Sequence, residues 1–159
     1  MNKTLLAVIL MCCVICSAVL SFSLVREHKI THMRCTTYNT VVIGSQISSL
    51  RFDIVADGDS GITNIDGFYM NDSGVRIPVR AAHAFDMKHS GNTYTFSHKT
   101  LSTLAGNEAT SEQIKRVLPE YMTKQGAAIK LTRYQQGKRG YILSTGSMVA
   151  YCKQPNEGR

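Results

Sequence analysis

Five histidines, five cysteines and a serine in a glycine-flanked turn are the residues of this sequence that could do chemistry. Ser60, within Gly58-Asp59-Ser60-Gly61, and His83, after Ala81-Ala82, have the character of a nucleophile on a turn and a base on a strand. Serine hydrolases built on two β-barrels place the histidine before the serine and need a longer chain, so a turn serine and a strand histidine with separate lives are expected. Asp57-x-Asp59 opens like a calcium loop, but Gly61 falls on a ligand position and Phe68 stands where the bidentate carboxylate belongs. His28 and His32 are four apart and would share one face of a continuing helix, the pattern of a weak metal site or a pH sensor. His83, His89 and His98 fall on neighbouring predicted strands, where register decides whether they converge. Asn71-Asp72-Ser73 fits a glycosylation acceptor and equally a hairpin turn. None of these sets completes a catalytic or metal-binding constellation, so the chain reads as non-enzymatic, without cofactor or metal.

The elements that would position these residues are mostly strands. Leu50, Phe52, Ile54 and Ala56 alternate with Arg51, Asp53 and Val55 up to the turn at Asp57 to Gly61. A second run, Ile62 to Met70, ends at Asn71-Asp72-Ser73-Gly74. From Val75 to Met87 the alternate positions are mostly apolar, which only a long or bent antiparallel strand satisfies, with Pro78 marking an edge or bulge. Tyr94, Phe96 and His98 alternate after the Ser90-Gly91-Asn92 turn. The period then changes: Ile114, Val117, Leu118, Tyr121 and Met122 recur at helical spacing behind Thr110-x-x-Gln113, which has the form of a capping box. Pro119 should kink or split that helix and Gly126 should end it. Ala127 to Tyr134 and Gly140 to Cys152 supply the last strands. The expected fold is mainly β with one amphipathic helix: an antiparallel meander of six to eight strands as a curved sheet or open barrel, the helix covering one opening or edge.

Leu5 to Val25 carries no charge and is bounded by Lys3 and Arg26. At about 1.5 Å per residue a helix of that length crosses a hydrocarbon core of about 30 Å. A cleaved signal peptide is the competing reading, and Ser21-Phe22-Ser23, the one acceptable cleavage site, lies unusually deep after an overlong apolar run. The organisation expected is a cytoplasmic tail at 1–4, a transmembrane helix at 5–25, a juxtamembrane linker at 26–34, a periplasmic β-rich domain at 35–153 and a C-terminal tail at 154–159. Arg26, Lys29 and Arg34 would favour the domain inside. Cysteine usage argues for the outside. Cys12, Cys13 and Cys16 lie in the apolar run as small hydrophobes, while Cys35 and Cys152 form a pair at the two extremes of the soluble part, placed to tie first strand to last in an oxidising compartment. The expectation is therefore a bacterial inner-membrane protein, N-terminus cytoplasmic and domain periplasmic.

Residues 26–112 hold eight basic and nine acidic side chains, and 113–159 hold nine basic and two acidic, so the positive field belongs to the C-terminal third. It could meet anionic lipid or an acidic partner. Without a helix-turn-helix, zinc motif or aromatic platform beside it, nucleic acid is not expected.

With the anchor, Met33-Arg34-Cys35-Thr36, Leu50-Arg51-Phe52-Asp53-Ile54 leading to Asp59-Ser60-Gly61-Ile62 and Ile65-Asp66-Gly67, and the closing Tyr151-Cys152, the chain resembles the FidL-like family of small enterobacterial membrane proteins. The resemblance rests on strand and turn residues. It implies company with a membrane-bound, ToxR-like transcription regulator, the periplasmic domain pairing with the regulator's sensor domain. The function expected is to bind and stabilise a membrane protein partner through exposed strand edges and the basic C-terminal face. The alternative is a ligand-binding β-domain whose apolar face, Val75 to Met87, lines a cavity for a lipid or bile-like amphiphile. A small envelope hydrolase or inhibitor, resting on scattered His and Ser alone, is the third.

Overall fold

Each alternating segment ends on a tight turn, and the turns at Gly44, Gly58 and Gly91 need φ of 63°, 61° and 58°, a region glycine enters without a Cβ penalty. The computed structural model describes residues 3–137 and 139–155, except that the side chains of residues 3–9, 24 and 26–30 lie outside the description. A helix α1 (Lys3–Thr31) is followed by β1 (His32–Ile43), β2 (Gln46–Asp57), β3 (Ser60–Met70), β4 (Arg76–Ser90) and β5 (Thr93–Thr103). Two short helices come next, α2 (Ser111–Val117) and α3 (Glu120–Thr123), then β6 (Ala128–Gln136), β7 (Gly140–Ser144) and β8 (Val149–Lys153). The strands pair antiparallel in chain order, and β8 returns to β1 to close a barrel. The meander is thus neither a curved sheet nor an open barrel, because the last strand finds the first.

Two boundaries differ from expectation. α1 runs on to Thr31, past the span expected at 5–25, and β1 opens at His32, ahead of the expected start of the β-domain at 35. Among the described residues no helix is long and apolar enough to cross a membrane. The side chains of Leu5 to Ile9 and of Leu24, part of the uncharged run, lie outside that description. Those of Leu10, Met11, Val14, Ile15, Val19, Leu20, Phe22 and Val25 are exposed around the helix.

Period two sends alternate residues into the barrel. Leu50, Phe52, Ile54 and Ala56 of β2, Ile65 and Tyr69 of β3, Val79, Ala81, Phe85 and Met87 of β4, and Tyr94 and Phe96 of β5 are buried there, with the Phe85 and Phe96 rings stacked at 4.4 Å. Small barrels are filled by side chains in this way. The β4–β5 register shifts between Ala84 and Phe85, where β5 carries the extra residue Lys99, a bulge that bends the strand bearing it. Pro78 sits before β5 joins β4 at Ala81. Its carbonyl instead accepts from the N–H groups of Glu108 and Ala109.

Close approach of β2 and β3 depends on Gly67, where a Cβ would fall 2.1 Å from the Ser49 carbonyl oxygen. That neighbour is backbone held in the β2–β3 ladder, where Leu50 faces Gly67. Gly67→Ala is expected to destabilise the barrel by about 1–3 kcal/mol, the usual cost of forcing atoms into a packed site. Urea denaturation of the variant checks this; an unchanged midpoint would show that the strands part without cost.

The helical segment divides as Pro119 demands. Thr110 Oγ1 accepts the Gln113 N–H at 3.3 Å and Gln113 Oε1 accepts the Thr110 N–H at 2.8 Å, so α2 starts on a true capping box. Leu118 ends it and α3 begins after Pro119. Ala109, Ile114, Val117, Leu118 and Met122 are buried. β5 pairs with β6 only from Thr93 to Ser97, and α3 lies against β5. The helices thereby cover the mouth that the short β6–β8 strands leave open.

Candidate functional site

Three features of the barrel have functional potential, the first being the edge of β1. β2 pairs with β1 along its whole length, from His32 opposite Asp57 to Ile43 opposite Gln46. On the other side, among the described residues, only Thr36 pairs with β8, opposite Lys153. Among the described residues Thr37 to Ile43 therefore carry no ladder pair on the β8 side, and Tyr38, Val42 and Ile43 are 72%, 64% and 54% exposed. No charged residue, proline or bulge blunts this edge, although natural proteins commonly guard free edges in those ways. Its tip is held: Ser45 Oγ donates to Asp72 and Gln46 Nε2 donates to Asp72 Oδ2 at 2.8 Å. Those two bonds hold the Asp72 carboxyl below the ordinary carboxylate range. Val149 and Tyr151 of β8 are exposed as well.

The second feature is the seam beside that edge. Cys35 and Cys152 form a disulfide, Cα atoms 5.3 Å apart and 117 residues apart in sequence. Both are buried, so the bond fastens β1 to β8 from inside, where among the described residues the ladder is a single pair.

The third is a histidine pair at the covered mouth. His83 is buried opposite Thr63 of β3 and Leu101 of β5. Its Nε2 lies 3.1 Å from His98 Nδ1, with the rings stacked at 5.2 Å, and Tyr121 of α3 meets it edge-on at 5.9 Å. His83 Nδ1 is buried without a hydrogen-bond partner. Burial first, and the neighbouring His98 second, push the His83 pKa down to about 4, because charging the ring there forfeits water. Burial also raises the Tyr121 phenol above its ordinary value. Beside Tyr121, Lys124, Ile129 and Met148 help line an open cleft of about 500 Å³.

The remaining candidates stay separate. Ser60 opens β3 opposite Asp86 and is exposed, whereas the His83 ring engages His98. His89 lies at the other end of β4, beside the Tyr94 ring. Two of the three strand histidines converge, therefore, and the third does not. His28 and His32 do not share a helix face, since α1 stops at Thr31; His32 Nε2 sits 2.8 Å from Asp57 Oδ1 across the strands, and the His28 side chain lies outside the described residues. Among the described residues no three His, Cys, Asp or Glu side chains could hold a metal ion together. Asn71 is a turn residue whose Oδ1 accepts the N–H groups of Ser73 and Val75. Of the basic C-terminal third, Lys115 and Lys124 pair with Glu112 and Glu120, and Arg133 lies over the Tyr141 ring at 4.5 Å.

Sequence reading missed the β1 edge. Its signal was the β-branched and aromatic composition of Thr36 to Ile43, without the clean alternation that marks a half-buried strand.

No curated protein matches the chain. The family model of the YqeJ C-terminal domain matches residues 32–152. This is a different family name from the FidL-like one that the strand and turn residues resemble. The matched span opens on the first residue of β1 and closes on the half-cystine of β8. All eight strands but for Lys153 lie inside that match, and the chain belongs to the YqeJ C-terminal domain family.

Proposed function

We propose that this protein is a non-enzymatic partner-binding module of the bacterial inner membrane, N-terminus cytoplasmic and barrel periplasmic, that holds a membrane protein through the free edge of β1. The unpaired, uncharged stretch Thr37 to Ile43 carries the reading, because an exposed ladder edge accepts a partner's strand through main-chain hydrogen bonds. The uncharged run of α1, with its exposed apolar side chains, supports an anchor. The disulfide supports an oxidising compartment. A ToxR-like transcription regulator, the partner implied by resemblance to FidL-like proteins, is the first candidate.

The test is a crosslinking purification of the full-length protein from native membranes, analysed for proteins and small molecules. A membrane protein with a cytoplasmic DNA-binding domain should co-purify and be lost when Cys35 and Cys152 are replaced. A protein that comes out alone sinks the reading. A second reading, a lipid or bile-like amphiphile, is favoured by the cleft beside Tyr121; the inward face of β4 once offered for it is packed core. A stoichiometric amphiphile in the purified material would select this alternative.

A further inference from the structure

We propose that α3 is an acid-operated gate over the barrel mouth, closed at neutral pH by Tyr121 packing on His83, which stacks on His98, and released when buried His83 takes up a proton.

The facing nitrogens of the pair share one proton, and the His83 ring is fully buried. His83 Nε2 and His98 Nδ1, 3.1 Å apart, are satisfied by a single N–H···N bond between neutral rings. Around His83, β3 supplies Thr63, β4 supplies Phe85, β5 supplies His98 and Leu101, and α3 supplies Tyr121. His98 and Tyr121 are the titratable members of that set, and neither offers a negative charge at or below neutral pH. The nearest chain charges are engaged elsewhere: Glu120 with Lys124 at 3.0 Å, and Asp86 with Lys99 at 3.0 Å. A proton added to His83 in the closed state therefore leaves a buried cation without a counter-ion, which the structure relieves by hydrating it.

α3 is the element that yields. It has four residues, and its N-cap, Pro119, makes no side-chain hydrogen bond. It lies on β5, whose ladder with β6 stops at Ser97. A single turn has little helical stability of its own, whereas β4 and β5 are tied into long ladders. Lifting Tyr121 wets His83 and joins the cleft lined by Lys124, Ile129 and Met148 to the interior. The sign follows from linkage: His83 binds its proton near the ordinary histidine pKa in the open state and only near pH 4 in the closed state, so opening is favoured progressively as pH falls from about 6.5.

Hydrogen exchange of the full-length protein, corrected for the intrinsic pH dependence of exchange, reads the gate directly. Between pH 7.5 and pH 5 the amides of α3 should lose protection by about 30-fold, while those of β2 hold theirs. His83→Leu should abolish most of that change, and His83→Gln, which keeps a polar side chain but cannot titrate, should do the same. The proposal is overturned if α3 protection is indifferent to pH, if β2 loses protection in step with α3, or if both variants keep the acid response.

Discussion

Val79→Arg is expected to abolish the folded barrel. Val79 is fully buried on the inward face of β4, opposite Gly67 of β3, where an arginine finds neither water nor a carboxylate among its strand partners. A buried unpaired charge costs about 4 kcal/mol or more, a large part of the 5–15 kcal/mol that holds a domain together. The matched control is Val55→Arg on β2, whose side chain is 40% exposed and should change stability by no more than about 0.5 kcal/mol. Circular dichroism and urea denaturation separate the two. A folded Val79→Arg protein would mean that β4 lines an open cavity after all, and would revive the amphiphile at that face.

Replacing Cys35 and Cys152 with serine should come next in magnitude. The bond joins residues 117 apart, so on the chain-entropy account it removes up to about 4–5 kcal/mol of disorder from the unfolded state. Position makes it more than an average link: among the described residues Thr36 opposite Lys153 is the one ladder pair between β1 and β8, and the covalent bond reinforces that seam. The variant should melt about 10–20 °C below the parent. It should also aggregate on heating, since an opened seam bares a second edge on β8. Thermal denaturation with and without reductant checks this. A reduced parent that melts with the oxidised one would show the seam held by the ladder alone.

Much of the architecture was legible because local rules and the fold agree. Gly58, Gly74 and Gly91 marked turns that are turns, Thr110-x-x-Gln113 is a capping box, and Pro119 splits the helix. The candidate sites were legible only in part. His83 and His98 face each other, and nothing in their spacing could say so, since a one-residue slip between β4 and β5 would have sent one ring outward. The bulge at Lys99 of β5 falls between the two: His83 pairs with Leu101 and Phe85 with His98, so the facing rings depend on that one extra residue.

Residue type and periodicity were enough for the β character, the turn positions, the split helix and the half-cystine pair, because each depends on neighbours along the chain or on two residues alone. Closure of the barrel, the unpartnered stretch of β1, the His83–His98–Tyr121 cluster and the burial of Val79 depended on tertiary pairing. Those features are set by register and strand length between distant segments: β1 and β2 have 12 residues each and β7 and β8 have five, and that mismatch leaves an edge and a mouth that no local pattern encodes.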